Sequence, residues 1–144
     1  MIEKNIGLMV FYDDTGKILL QKRTLMSKHG EDWGYFGGRF EKGETPEQAM
    51  RREIKEELEF DVKEYSFLGK YKGIAKRIKP PYKIVNVIQH VFITKITTNE
   101  FESMTLHEGD DIQWFSLEKA KKLNMIPLDP KIIDDAEIYI KKNR

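Results

Sequence analysis

Three glutamates near the middle of the chain have the spacing of a metal-binding cluster. Glu53, Glu56 and Glu57 stand at positions i, i+3 and i+4, so on an α-helix they lie within an arc of roughly 100° and share one face. Like charges at i and i+4 destabilise a helix by about 0.2 to 0.5 kcal/mol per pair. A divalent cation would offset this repulsion, since Mg²⁺ and Mn²⁺ prefer carboxylate oxygens as ligands. The spacing therefore indicates a site for a hard divalent cation.

The same acidic face also fits an ordinary solvated surface. In a chain that is 34% charged, carboxylates on a helix usually face water, and neighbouring cations are available for ion pairs: Arg51, Arg52 and Lys55. An apolar stripe lies beside the acidic one and can face a core: Met50, Ile54 and Leu58. The three glutamates alone therefore do not decide between a solvated face and a site.

The residues before these glutamates predict how the helix is placed. Thr45-Pro46-Glu47-Gln48 combines an N-cap Thr, a Pro at the first helical position and a Gln three residues after the cap, so a helix should run from here to about Leu58. Aromatic residues followed by a glycine pair at 33–38 predict a short strand that ends in a loop. Apolar runs at 7–12 and 17–23 flank a cluster of turn formers and predict a β-hairpin.

The second half of the chain alternates strands and helices. Strands are predicted at 62–71 and 85–96, followed by a loop at 97–111 and a short strand at 112–115. A short helix is predicted at 117–123, and Asp129-Pro130 marks the start of a terminal helix. Two groups of strands around one long helix, with another helix at the end, predict a mixed-sheet α/β sandwich.

Length and composition bound the class of protein. The 144 residues match one domain, 1–144, and the hydrophobic share of 40% supports a packed core. Because 25 basic residues balance 24 acidic ones, no overall field favours a nucleic-acid polymer or a membrane surface. The chain has no cysteine, which excludes disulfides and thiolate metal sites. It shows no signal peptide and no long apolar run, so we expect a cytoplasmic location.

A wider pattern surrounds the three glutamates and favours the metal site. Its specified positions follow the order Gly, five residues, Glu, seven residues, Arg-Glu, an aliphatic residue, any residue, Glu-Glu: Gly38, Glu44, Arg52, Glu53, Ile54, Glu56 and Glu57. This pattern resembles the signature of the Nudix hydrolase family and covers residues 38–60, about a sixth of the chain. One position departs from it, because Glu59 stands where the family has glycine. That change predicts either a different helix exit or about 1 to 2 kcal/mol of strain.

The resemblance implies a fold, a reaction and a set of roles. The fold would be a Nudix-type α/β/α sandwich with a mixed sheet. The reaction would be Mg²⁺-dependent hydrolysis, with Mn²⁺ as an alternative, of a diphosphate linkage in a nucleoside triphosphate or in a nucleoside diphosphate joined to another group. Metal-activated water would be the nucleophile. Glu53, Glu56 and Glu57 would be metal-binding and catalytic, with a carbonyl from Gly38 or its neighbour Gly37. Glu44 and Arg52 would be structural supports.

The general base is a separate prediction. One of the helix glutamates is one option, but family members often use a further glutamate ahead of the last strand. Glu108, six residues before Trp114, is the candidate for the base or for an extra metal ligand. Its competitors are Glu100, Glu102 and Asp111, and an acidic surface turn is the alternative interpretation.

Cations and aromatic residues near the site complete the predictions. Arg23 and Arg39 are the candidates for substrate binding because guanidinium groups suit phosphate, with Lys22 beside them; ordinary surface charge is the competing interpretation. Trp33, Tyr35 and Phe36 either stack on a base or belong to the core. Asp129 lies where some Nudix enzymes read the base, but its place before Pro130 explains it as a helix cap.

These observations define the expected partners and the rival functions. We expect a small nucleotide-like substrate, no membrane and no nucleic-acid polymer, and a homodimer is compatible with the sequence. The alternatives to an enzyme are a nucleotide-binding sensor that keeps the Nudix fold without turnover and a plain acidic interaction domain. The identity of the nucleotide and of the leaving group stays open.

Overall fold

A mixed β-sheet with helices on both faces forms the framework of the protein. The computed structural model describes residues 2–23, 33–76, 80–107, 111–126 and 129–143. Within these ranges eight strands form one sheet: β1 (Ile2–Tyr12), β2 (Ile18–Lys22), β3 (Trp33–Gly34), β4 (Phe36–Arg39), β5 (Ser66–Lys76), β6 (Ile84–Lys95), β7 (Asp111–Phe115) and β8 (Met125–Ile126). The same ranges contain four helices: α1 (Pro46–Leu58), α2 (Thr98–Glu102), α3 (Leu117–Ala120) and α4 (Pro130–Asn143).

Strand β1 is the centre of this sheet. It pairs in parallel with β6 from Ile2 to Tyr12, and the antiparallel strand β5 lies beyond β6. On its other side β1 pairs first with β4, over residues 6–9, and then with β2 at residues 11 and 12. Strand β2 continues to β3 and β7. The sheet therefore divides beside β1, and the glycine pair of β4 lies at the division.

The two faces of β1 enter two separate hydrophobic cores. Met9 and Phe11 pack in a cluster that contains the apolar stripe of α1, namely Met50, Ile54 and Leu58. The residues between them belong to the cluster that α4 covers, namely Leu8, Val10 and Tyr12. Side chains that alternate between the faces of a strand produce this division. The predicted α/β/α sandwich with a mixed sheet is therefore confirmed.

Most predicted elements are present, with two corrections. The hairpin of β1 and β2 and the start of α1 are confirmed, and Thr45 and Gln48 form a complete capping box. The strand predicted at 62–71 is displaced to Ser66–Lys76 because Val62 is buried in the α1 core and does not pair in the sheet. The region 97–111 is not only a loop, since α2 begins with a capping box of Thr97 and Glu100.

Two smaller differences concern the C-terminal part of the chain. The helix predicted at 117–123 is shorter, Leu117–Ala120, and β8 was not predicted. Strand β8 has two residues and exists through its pairing with β3, a partner that local sequence does not reveal. In the part of the chain that the structure describes, no helix is long and apolar enough to cross a membrane.

The exit from α1 keeps a left-handed turn without a glycine. Glu59 has φ 51° and ψ 37°, and its N–H donates to the Lys55 carbonyl at 3.0 Å. Its carboxylate lies 3.0 Å from His107 Nε2. Of the two predicted outcomes, the structure therefore shows the glycine-type exit, in which a residue with a Cβ is unfavourable.

We expect Glu59→Gly to increase the free energy of unfolding by about 1 kcal/mol, because relief of the left-handed conformation outweighs the extra freedom of glycine in the unfolded chain. Urea denaturation of the two proteins measures the difference. Glu59→Ala is the control, since it also removes the carboxylate near His107 but keeps the Cβ. A Gly variant no more stable than the Ala variant would contradict the strain.

Candidate functional site

The acidic face of α1 lies against the glycine pair of β4. At Gly38 an added Cβ would stand 2.5 Å from Glu53 Cδ and 2.7 and 2.8 Å from the two carboxylate oxygens. Only glycine leaves this space, so the residue type at position 38 seats the Glu53 carboxylate against the turn. The Glu53 side chain is 19% exposed.

Glu57 turns its carboxylate into the protein. The residue is 2% exposed; its Oε1 accepts a hydrogen bond from the Gly37 N–H at 3.0 Å, and its Oε2 accepts one from Gln21 Nε2 at 3.1 Å. Burial of a carboxylate is costly unless donors replace water. The glycine turn and β2 supply these donors and fix the carboxylate in one place.

Glu56 is more exposed than Glu53 and Glu57. The Glu56 side chain is 58% exposed. Over the described ranges, no group of three or more His, Cys, Asp or Glu residues is arranged to hold a metal ion. Instead, Arg52 Nη1 lies 2.9 Å from Glu53 Oε1 and 3.5 Å from Glu56 Oε2. A cation of the protein itself bridges two of the three predicted ligands.

Arg52 also joins α1 to the segment that leads into it. Its Nε donates to Glu44 Oε2 at 2.7 Å and its Nη2 to Glu44 Oε1 at 2.9 Å, a bidentate pair. Nη2 donates as well to the Arg39 carbonyl at 2.9 Å, and the Glu41 N–H donates to Glu44 Oε1 at 2.6 Å. Hydrogen bonds from Arg52 lower the pKa of the Glu44 carboxyl to about 2, and the same pair raises the pKa of Arg52.

The two arginines predicted to bind substrate have different surroundings. Arg23 follows β2, two residues beyond Gln21, and its Nε is buried without a hydrogen-bond partner. Arg39 ends β4 and is exposed. Lys22 is exposed at the end of β2. Arg23 thus retains a buried donor that no described group of the protein accepts.

The predicted general base, Glu108, lies outside the described residues. Two of its competitors are engaged locally: Glu100 Oε1 accepts from the Thr97 N–H at 2.9 Å, and Asp111 Oδ1 accepts from the Ile112 N–H at 2.8 Å. Glu102 is exposed in the last turn of α2. The local bonds of Glu100 and Asp111 explain both residues without a catalytic role.

Most of the other residues considered from the sequence are structural here. Phe36 is fully buried against Phe11, and Tyr35 is 3% exposed, so burial raises the pKa of its hydroxyl. Trp33 packs its ring edge against Phe115. Asp129 Oδ1 accepts from the Lys131 N–H at 2.9 Å, as expected for a helix cap.

Gln21 is the residue at this site that the sequence reasoning missed. It is 2% exposed, and its Nε2 donates both to Glu57 and to the Tyr35 carbonyl at 3.1 Å. The sequence did carry a signal for this residue. Gln21 follows the apolar run Ile18–Leu20 directly and lies on the same strand face as Leu19, which packs in the α1 core. A polar residue at such a position must find partners, and here it finds a carboxylate of the helix.

Comparison with known proteins tests the family predicted from the signature. A family model for the NUDIX domain matches residues 1–136. The chain belongs to the NUDIX domain family. The family predicted from the signature is therefore confirmed, and α1 is the helix that carries the signature glutamates.

Relatives of this Nudix chain include enzymes of nucleotide hydrolysis. The chain is 38% identical to an 8-oxo-dGTP diphosphatase of Proteus vulgaris over 64 residues, 44% of this chain and 57% of the relative. It is 28% identical to the CTP pyrophosphohydrolase of Escherichia coli over 120 residues, 83% of this chain and 81% of that protein. The structure of the E. coli dihydroneopterin triphosphate pyrophosphohydrolase matches with a TM-score of 0.71 at 19% identity, over 99% of both chains. That last likeness shows the fold.

We expect the Arg52–Glu44 pair to make the free energy of unfolding depend on pH over a defined acidic range. Because the folded pKa of Glu44 is lowered from 4.5 to about 2, its stabilising contribution is complete above pH 4.5 and is lost as the pH falls towards 2. The melting-temperature difference between the wild type and Glu44→Gln should shrink across that window. Glu102→Gln removes an exposed carboxylate elsewhere and is the control. A difference that is constant from pH 7 to the acid end would contradict the pairing.

Proposed function

We propose that this Nudix protein is a pyrophosphohydrolase that uses Mg²⁺, or alternatively Mn²⁺, to hydrolyse a diphosphate linkage. The substrate class is a nucleoside triphosphate or a nucleoside diphosphate joined to another group. One observation carries the proposal: the carboxylates of Glu53 and Glu57 are both fixed against the Gly37–Gly38 turn, one by the absence of a Cβ and one by hydrogen bonds. The names of the Proteus and E. coli relatives support the same reaction class.

The chemistry of the proposed donor set fits a hard divalent cation. Glu53, Glu56 and Glu57 are the proposed ligands, with a carbonyl oxygen of Gly38 or Gly37, and all of these donors are oxygens. The bridge that Arg52 Nη1 makes between Glu53 and Glu56 supports a position for positive charge there. A bound ion would neutralise phosphate oxygens and lower the pKa of a bound water.

The protein's own groups supply orientation and a proton acceptor in this proposal. Arg23 and Arg39 bind the phosphates, and the buried Nε of Arg23 gives one of them an unused donor. Glu108 accepts the proton of the attacking water. Glu44 and Arg52 hold the segment before α1 on the helix. A single domain over 1–144, a cytoplasmic location and a small nucleotide-like partner complete the proposal.

Replacement of Glu57 by Gln tests the metal assignment. We expect kcat/KM for the best substrate of a nucleotide, nucleotide-sugar and dinucleotide screen to fall by about 100-fold or more, because the negative charge and one of the two carboxylate oxygens are lost. Mn²⁺ binding by titration calorimetry should weaken in parallel. Glu118→Gln, at an exposed position of α3, is the matched control.

Three outcomes of that experiment would refute parts of the proposal. Unchanged Mn²⁺ binding and turnover in Glu57→Gln would refute the ligand role. Turnover in EDTA equal to that in Mg²⁺ would refute the metal dependence. Nucleotide binding without metal and without turnover on any substrate would refute the enzyme and favour a sensor.

Gln21→Leu tests whether the amide positions Glu57. Loss of a group that orients a metal ligand typically costs about 10- to 100-fold in metal affinity or activity, so we expect kcat to fall by about that factor while KM changes little. Gln113→Leu makes the same change at an exposed strand position and should be silent. A Gln21→Leu protein with wild-type kcat would show that the Gly37 N–H alone positions the carboxylate.

A further inference from the structure

Positive charge is concentrated in one hairpin of the protein. Residues 66–95, which include β5 and β6, contain seven Lys or Arg residues and no Asp or Glu. The rest of the chain contains 18 basic and 24 acidic residues. The balanced total therefore hides a basic hairpin on an acidic body, a separation that indicates an anionic partner.

The lysines of β5 lie on one uncovered face of the sheet. Strand β5 is at the sheet edge, and β6 is the one described strand that pairs with it. Tyr71 points to the α4 side, where its hydroxyl donates to Asp135 Oδ2 at 2.6 Å. Because neighbouring residues alternate, the opposite face carries Lys70, Lys72, Ile74 and Lys76. Ile74 is 61% exposed, so α1 does not cover that part of the face.

Two lysines of this face, Lys70 and Lys72, and Lys83 just before β6 have no close acidic partner among the described residues. Lys70 stands opposite His90, and its charge adds to the effect of burial in lowering the pKa of that imidazole. The hairpin therefore presents a positive field to solvent.

Exposed apolar side chains lie on this face and directly beside it in the chain. Tyr82 is 73% exposed, and Ile84, opposite Lys76 in the register, is 50% exposed. A partner that suits this surface carries repeated negative charge together with flat apolar groups. Single-stranded nucleic acid has both, since its phosphates meet lysines while its bases stack on rings. Lysines on alternate residues of a strand are about 7 Å apart, which suits an extended backbone.

An anionic membrane fits this surface less well. Binding at a membrane surface buries a separate apolar face, with the cations on the polar face beside it. Here Ile74 stands between Lys72 and Lys76 on the same strand face, within the row of charges. A lysine-rich edge strand also blocks pairing with another sheet, but that purpose does not require exposed Tyr and Ile side chains.

We propose that a lysine face, formed by Lys70, Lys72, Ile74, Lys76 and Ile84, binds single-stranded nucleic acid together with Tyr82 and Lys83, which directly precede Ile84 in the chain. This binding is separate from the proposed hydrolysis at α1. Lys70 lies three strands away from Gly38, or about 14 Å, along the row of paired residues Gly38, Gly7, His90 and Lys70. The expectation that no nucleic-acid polymer binds rested on the balanced total charge, and the separation of that charge changes it.

Fluorescence anisotropy with a labelled oligouridylate of about 15 nucleotides tests the proposal. The variant is Lys70→Gln/Lys72→Gln/Lys83→Gln, and the matched control is Lys17→Gln/Lys122→Gln/Lys142→Gln, three exposed lysines elsewhere. The hairpin variant should raise Kd about tenfold or more and reduce the slope of log K against log salt by about 2, since each phosphate contact on a single strand contributes about 0.7. The control should leave Kd within about twofold. Tyr82→Ala should raise Kd about fivefold without changing the slope.

Several results would overturn the proposal. One is that the wild type does not bind RNA at about 50 mM salt, and another is that both triple variants lose RNA affinity equally. A third is that the hairpin variant binds RNA as the wild type does but now self-associates, which is what protection of the sheet edge alone predicts. Binding to phosphatidylserine vesicles but not to RNA would assign the face to membranes. Melting temperatures establish that the variants fold, and nucleotide hydrolysis, measured separately, keeps a failure of the enzyme proposal distinct from a failure of this one.

Discussion

The site depends on how closely the glycine turn of β4 approaches both β1 and α1. An added Cβ at Gly37 would stand 2.0 Å from the Gly7 carbonyl oxygen, and one at Gly7 would stand 2.9 Å from the Pro46 carbonyl oxygen. Gly38 leaves room for Glu53 in the same way. Three glycines therefore set the spacing of strand, turn and helix. With φ 135° at Gly37, a residue with a side chain would be excluded even where space allowed.

Polar contacts complete what the glycines permit. Arg52 and Glu44 hold the segment before α1, while Gln21 and the Gly37 N–H hold the far end of the acidic face through Glu57. Each contact joins elements that are distant in sequence, so the face is fixed by tertiary structure more than by the helix itself. Fixed side chains of this kind lower the cost of ordering a bound ligand.

The sequence predicted the bounds of α1 and its apolar stripe well because the information is local. The cap at Thr45, the apolar stripe and the glutamate spacing all lie within one short segment of the chain. Gly38, the glycine of the signature, stands only a few residues before that segment. Long-range facts were not accessible: that Glu57 would be buried, that Gln21 would reach it, and that Val62 would enter the α1 core. The helix α2 is a different case, since Thr97 and Glu100 carried the capping pattern and a loop was predicted nonetheless.

The bridge from Arg52 to Glu53 and Glu56 has a consequence for the resting protein. Two carboxylates that would otherwise repel share a guanidinium, so the acidic face remains ordered before any ligand arrives. A cation at the proposed site would compete with an internal one that is tethered and cannot diffuse away. Occupancy would then be an exchange of partners, in which the guanidinium keeps its bidentate carboxylate at Glu44 and releases the other two.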